Sequence, residues 1–167
     1  MSVSIRPARE DDVDFLVELY SDEDVRPFLA AAGSYDRDGV LAKLVQDPEA
    51  GGVIVVELEE EPAGAMGWEL ANRRSGIVHI GGLAVHPDFR GRRVADAAAR
   101  LFQRHLIFER GFHRIELEVY GFNERAQWHA ERSGFVREGV KRKAYRHGDG
   151  WVDGILYALV AEDLEPR

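Results

Sequence analysis

Arg90, Arg92 and Arg93 place three guanidinium groups within four positions, inside the stretch Leu83-Ala84-Val85-His86-Pro87-Asp88-Phe89-Arg90-Gly91-Arg92-Arg93-Val94-Ala95. The apolar residues up to Val85 read as the end of a strand, and the apolar spacing from Val94 onward reads as a helix. The first N–H groups of a helix have no intrahelical partner, and the helix dipole favours an anion there. A basic, Gly-containing turn leading into such a helix is suited to hold a pyrophosphate. The plain alternative is a surface turn with solvated arginines. Two other phosphate motifs are excluded: no Gly-Lys-Ser/Thr follows, and the GxGxxG spacing of dinucleotide-binding turns is absent.

His79 is the second residue with chemistry to offer. It lies six positions before Val85, on the same expected strand. A period of two puts His79, Gly81, Leu83 and Val85 on one strand face before any bulge. Gly81 and Gly82 leave room for a substrate and allow a bulge to turn groups inward. Imidazole exchanges protons near neutral pH, which suits a general base. Glu118, acting directly or through water, is the rival. A hydrogen-bonded structural histidine is the plain alternative.

The elements that must position these groups follow from periodicity and punctuation. Residues 2–6 read as a short strand. Val13, Leu16, Val17 and Tyr20 recur at helical spacing behind Glu10, Asp11 and Asp12, where a helix N-terminus favours negative charge. A second helix is expected over 36–46, ending near Asp47-Pro48. Val53 to Leu58 and Ala63 to Leu70 read as a hairpin, and Ile77 to Val85 as a further strand. Val94 to Arg110 keeps a helical period, with Gly111 as its C-cap. Arg114 to Tyr120 alternates Ile115, Leu117 and Val119 against Glu116 and Glu118. Asn123 can cap a helix running to about Arg132. Strands over 135–145 and 151–160 are joined by His147-Gly148-Asp149-Gly150, a hairpin signal. The order β-α-α-β-β-β-α-β-α-β-β predicts an α/β (α+β) fold: a mixed, mostly antiparallel sheet of six or seven strands with about four helices on both faces.

The 167 residues suit one domain, 1–167. Composition is ordinary for a globular chain, with 45% hydrophobic and 31% charged residues. No apolar run is long enough to span a bilayer, and the start of the chain carries no leader pattern, so no membrane partner and a cytoplasmic location are expected. The absence of cysteine excludes disulfides, thiol nucleophiles and cysteine-based zinc sites, and no metal is expected. Net charge is −8, unevenly spread: residues 86–147 hold 14 Lys and Arg against 8 Asp and Glu, and the remainder is strongly acidic. A basic segment in an acidic chain points to a local anionic ligand rather than to nucleic acid, which needs a broad basic face.

The stretch Leu83-Ala84-Val85, Pro87 and Arg90-Gly91 resembles the acetyl-CoA-binding motif of the GNAT acetyltransferases, whose pattern is Gln/Arg-x-x-Gly-x-Gly/Ala. Arg90 and Ala95 match it; Arg93 stands where the first Gly is expected. Asn123-Glu124-Arg125-Ala126, followed by Glu131-Arg132-Ser133-Gly134-Phe135, is similar to the family's Asn-x-x-Ala…Gly-Phe helix. The close, from Glu138-Gly139 through Tyr145 to Gly150-Trp151-Val152-Asp153, resembles the RimJ/RimL-like and polyamine-acetyltransferase branches. The strand order is that family's order too.

The resemblance implies transfer of an acetyl group from acetyl-CoA to a primary amine of a small molecule or a protein N-terminus, by direct attack. It implies a strand at Leu83, Ala84 and Val85 that splays from its neighbour and pairs with pantetheine. Amides of Gly91, Arg92, Arg93, Val94, Ala95 and Asp96 would bind the pyrophosphate, provided that φ at Arg93 is negative. Asn123 and Ala126 would meet the pantetheine arm, although Asn123 is equally a plain N-cap. His79 stands at the offset that holds the base, a Glu or a His, in several branches. The position that often carries an acidic tyrosine is Ala130 here, so water, Tyr120 or Tyr145 is expected to serve the leaving thiolate. Glu69, Glu116 and Glu118 are candidates to contact a cationic acceptor. Homodimers are common in the family. The alternative function is a catalytically silent acyl-CoA sensor on the same fold.

Overall fold

The computed structural model describes residues 1–29 and 34–164. Its seven strands run in the order β1-β2-β3-β4-β5-β7-β6. Four α-helices of eight residues or more are present among the described residues, and the fold is mixed α/β as the element order implies. Contacts group the chain into two compact units, Met1–Leu70 with Ile80–Phe102, and Ala71–His79 with Gln103–Arg167. The strand β4 (Ile77–Val85) contributes three residues to the second unit and the rest to the first.

In the first unit, β1 (Val3–Pro7) pairs antiparallel with β2 (Gly51–Leu58), with Ile5 opposite Val56. β2 turns through Glu59 and Glu60, both at positive φ, into β3 (Glu61–Asn72). Two positive φ values are what a two-residue hairpin turn needs to match strand twist. Helix α1 (Val13–Ser21) buries Val13, Leu16, Leu19 and Tyr20. These pack with Val25, Val40, Val55, Ala65 and Ala84. Helix α2 (Arg37–Leu44) starts at Asp36, whose side chain accepts from the Gly39 amide at 2.9 Å. Ahead of α1, the buried Asp12 takes both terminal nitrogens of Arg6, at 2.7 and 2.8 Å, and the Arg9 amide at 2.7 Å. Helix α3 (Val94–Arg104) buries Val94, Ala98 and Phe102, one per turn.

In the second unit, β5 (Arg114–Tyr120) lies antiparallel to β7 (Gly150–Val160), pairing Ile115 with Leu159 and Leu117 with Tyr157. β7 also pairs with β6 (Val136–His147) through the turn at Gly148-Asp149. The opening residues of β4 pair parallel to β5: Ile77 with Arg114, Val78 with Ile115, and His79 with Glu116. Ile115, Tyr157 and Leu159 are buried on one side of these strands' alternation, and Leu106 is buried as well. Helix α4 (Glu124–Arg132) ends at Gly134, at φ +91°, with the Phe135 amide bonded to Ala130 O and the Gly134 amide to Glu131 O. That pair of bonds satisfies the helix's last carbonyls and needs a left-handed residue at Gly134.

The expected helix to Arg110 is α-helical only to Arg104 and continues as a π-helical turn, His105–Glu109. Leu106 and Ile107 are both buried in this turn. Gly111 follows at φ +76°. No described helix is long and apolar enough to cross a membrane.

Candidate active site

The basic turn lies in the first unit. Leu83 and Val85 are half-buried and Ala84 is buried. After Val85, the His86 amide bonds to Ala63 O at 2.8 Å, and a short 3₁₀ turn, Pro87–Phe89, brings the chain to Arg90. Arg90 is fully engaged inside the unit. Its Nε donates to Val85 O at 3.1 Å, one terminal nitrogen to Asp24 at 3.0 Å, and the other to Asp22 at 2.8 Å. The Arg90 bond holds the Asp22 carboxyl below its ordinary range, and the Asp24 amide assists. This arginine staples the turn to the segment after α1, a role that its sequence motif does not announce.

Gly91, Arg92 and Arg93 are exposed, and Ala95 and Asp96 half-buried, around the start of α3. A Cβ at Gly91 would meet nothing within 4 Å. Gly91 takes φ +77°, and Arg93 is also at positive φ, +57°. The condition of a negative φ at Arg93 is therefore not met. The left-handed conformation that a Gly would adopt freely is held here by a residue with a Cβ, at a cost of about 1–2 kcal/mol. On β4, Gly82 is at φ +65°, and neither Gly81 nor Gly82 has a neighbour where a Cβ would stand.

His79, Glu118, Asn123 and Ala126 lie in the second unit. The Asn123 side chain accepts from the Ala126 amide at 3.1 Å, so it caps α4 as its residue type allows. Ala130 is buried on that helix. His79 meets Glu116, its partner in the parallel ladder, with Nε2 2.7 Å from Oε2. The other oxygen of Glu116 takes Arg114 Nε at 2.7 Å, and Arg114 extends its terminal nitrogens to Glu138 on β6, one at 2.9 Å. Burial pushes the Glu116 carboxyl up, but the bonds from Arg114 and His79 outweigh it and leave the group below its ordinary range.

Two positions along β5, Glu118 is bonded by Lys141 and by the Tyr145 hydroxyl. Burial, together with that bond to Glu118, pushes the Tyr145 phenol up to about 12. Tyr145 packs against Gly154, where a Cβ would lie 3.1 Å from its Cδ2. Tyr120, at the end of β5, contacts the rings of Tyr145, Phe122 and His147, with centroids 5.8, 5.4 and 5.7 Å away.

The alternation of β5 thus puts Arg114, Glu116, Glu118 and Tyr120 on one face, opposite the buried Ile115. Sequence reading takes Glu116 and Glu118, with Glu69, as candidates to contact a cationic acceptor; Glu116 and Glu118 are bonded to partners within the unit. Arg114, Glu138 and Lys141 are the partners of this carboxylate row that sequence reading missed. Their only signal is a polar alternation shared with any solvated strand. Among the described residues, no cluster of three or more His, Asp or Glu side chains could hold a metal.

Similarities agree with this architecture. An acetyltransferase of Sodalis glossinidius is 31% identical over 123 residues, covering 73% of this chain and 79% of its own length. A prophage-derived N-acetyltransferase of Bacillus subtilis is 29% identical over 83 residues, and this chain spans about half of it (47%). Two solved structures share the fold. RimJ of Mycobacterium smegmatis in complex with CoA-disulfide has a TM-score of 0.85 at 20% identity, covering 98% of this chain and 84% of its own. Spermidine N-acetyltransferase of Vibrio cholerae in complex with CoA and spermine has a TM-score of 0.84 at 18% identity, covering 96% of each chain. A profile of the Acetyltransferase (GNAT) family matches residues 9–135, and the chain belongs to that family.

Proposed function

We propose that this protein transfers the acetyl group of acetyl-CoA to a primary amine of a small molecule or a protein N-terminus, by direct attack and with His79 as general base. The observation that carries the reading is His79 Nε2 at 2.7 Å from Glu116 Oε2, on a side chain that keeps 43% of its surface exposed. An acceptor amine is mostly protonated at pH 7 and must lose a proton to attack. A half-exposed imidazole backed by a carboxylate is able to take it. The nitrogen lone pair then forms the C–N bond, the C–S bond breaks with its electron pair on sulfur, and the second proton that the nitrogen gives up passes through water to the thiolate.

Acetyl-CoA is the cosubstrate in this reading. Its pyrophosphate rests on amides of residues 91–96, next to the exposed Arg92 and Arg93 and the open surface at Gly91; the positive φ of Arg93 is one that a Gly at this position takes freely, and its N–H remains a donor. Leu83, Ala84 and Val85 offer backbone groups to pantetheine, and an N–H near Val85 serves the carbonyl oxygen. Asn123 and Ala126 meet the pantetheine arm from α4, with Asn123 fixed by its cap. Arg90 acts indirectly, by holding the turn. No acid is supplied from α4, because Ala130 stands where a tyrosine would be. The CoA-bound fold neighbours support this choice of cosubstrate, and the spermine-bound one supports an amine acceptor. Residues 1–167 work as one acetyltransferase domain: the family profile runs through residues of both units.

The test is calorimetric titration with acetyl-CoA, then acetyl-CoA consumption across a panel of polyamines, amino-acid analogues and N-terminal peptides. Binding with turnover of one amine class is expected. No binding at millimolar CoA would end the reading, and binding without turnover of any amine would leave a silent sensor.

A further inference from the structure

We infer that Lys141 sets the acceptor class: it occupies Glu118, the carboxylate one alternation along β5 from the Glu116 that His79 meets, so the acceptor that fits this face carries its reacting amine as its only cationic group. This rests on the reading of His79 as the base, which brings the reacting amine to this face.

Glu118 follows Glu116 on the same face of β5, two strand steps or about 6.7 Å further on. That is where the second ammonium of a short diamine would meet an anion. The two oxygens of Glu118 are already taken, Oε1 by Lys141 Nζ and Oε2 by the Tyr145 hydroxyl. The neighbouring carboxylates have a cation as well, since Arg114 holds both Glu116 and Glu138. A free ammonium must therefore displace Lys141. A tethered cation competes at an effective concentration of about millimolar, which a dissolved amine has to exceed.

The strands gather this pair. Lys141 stands opposite Gly154 and Tyr145 opposite Val152, so four steps of β6 pass only two of β7. Residues four apart on a regular strand lie about 13 Å from each other. Here both reach one carboxylate. Gly154 lies between Lys141 on β6 and Tyr120 on β5 in the register. A Cβ there would stand 2.5 Å from Tyr145 Cε2 and 3.4 Å from Glu118 Oε2, so the crossing of β7 needs a glycine. Glu118 keeps 21% of its side-chain surface exposed and Lys141 51%, so the lysine can be replaced without opening the core.

Diaminobutane and butylamine are the probes, the same chain with and without the second ammonium. Each is titrated into the wild type and into Lys141→Met, with binding read from the amide NMR shifts of Glu118 and Tyr145. Acetyl-CoA consumption is then measured with both. In the wild type diaminobutane is expected to bind no more than about threefold tighter than butylamine, within the range of an exposed ion pair. Lys141→Met keeps the apolar stem and removes the charge. In it the affinity ratio is expected to rise at least about threefold in favour of diaminobutane, with the same rise in the ratio of kcat/KM, and to fall back as salt is added. Lys141→Arg keeps a cation on Glu118 and is expected to behave as the wild type. Adding Glu118→Gln to Lys141→Met is expected to cancel the gain.

A wild type that prefers diaminobutane by more than about threefold would overturn the inference, and so would a Lys141→Met variant whose ratio rises by less than that or that binds neither amine. The reading beneath it fails by a different result. His79→Ala losing less than about fivefold in kcat would take the reacting amine away from this face whatever the affinity ratio, and the acceptor class would fall with it.

Discussion

A Cβ added to Gly64 on β3 would collide with the carbonyl oxygen of Ala84 on β4. The obstacle is backbone, which cannot rotate away like a flexible side chain. Gly64→Ala must therefore push the end of β4, where Leu83, Ala84 and Val85 lie, away from β3. The expected cost is about 1–3 kcal/mol of stability, typical of overpacking. Urea unfolding measures it. If the end of β4 holds pantetheine, acetyl-CoA affinity falls in parallel. A variant with unchanged stability and affinity would mean that β4 tolerates the shift.

Arg93 allows the opposite experiment. Its φ of +57° costs a residue with a Cβ about 1–2 kcal/mol, whereas Gly adopts it freely. Gly also loses about 0.4–1 kcal/mol through its freer unfolded chain. Arg93→Gly is thus expected to gain roughly 0.5–1 kcal/mol in urea unfolding. A loss would show that the arginine side chain makes a contact worth more than the strain.

Much of this architecture is legible in the sequence, for identifiable reasons. Strand β5 is found at its full length because Ile115, Leu117 and Val119 alternate strictly with charged neighbours. The ends of α4 follow from Asn123 and Gly134, whose side-chain chemistry acts over three or four residues. What stays hidden depends on distant parts of the chain. Arg90 reads as a ligand arginine, yet its partners Asp22 and Asp24 are 68 and 66 positions away. The His79–Glu116 contact requires the parallel register of β4 on β5, which no local pattern encodes. Glu138 meets Arg114 from β6, beside the register shift between Arg137 and Gly139, and that shift leaves no mark in the sequence beyond Gly139.

Acid titration isolates a second buried charge. The Asp12 carboxyl is held below its ordinary range, first by Arg6 and then by the Arg9 amide. A depressed folded pKa means that its stabilisation is complete above the unfolded value of about 3.9 and is lost as pH falls through the lower folded value. Asp12→Asn is expected to cost about 3 kcal/mol at pH 7, the low end for a broken buried pair, because Arg6 keeps Glu57 as a second partner. Below about pH 4 the difference between wild type and variant should narrow. A constant gap from pH 7 down to pH 2.5 would mean that Asp12 does not titrate with folding.

The rival base, Glu118, separates from His79 by its partners. A general base needs a lone pair aimed at the substrate and free to accept a proton. The two oxygens of Glu118 are taken by Lys141 and by the Tyr145 hydroxyl. Protonating this carboxylate would remove the negative charge that Lys141 and Tyr145 face and so weaken both bonds, whose donors lie on β6, in the same unit. Glu118→Gln keeps the size and one acceptor, so kcat with the best amine is expected to fall less than about fivefold, against about 10² to 10⁴ for His79→Ala. The effect of Glu118→Gln should appear instead at Tyr145. Without the neighbouring anion its hydroxyl is expected to ionise closer to the ordinary tyrosine range than the present value of about 12, as followed by tyrosinate absorbance against Tyr145→Phe. A loss of 10² or more in kcat for Glu118→Gln, with His79→Ala nearly silent, would transfer the base to Glu118.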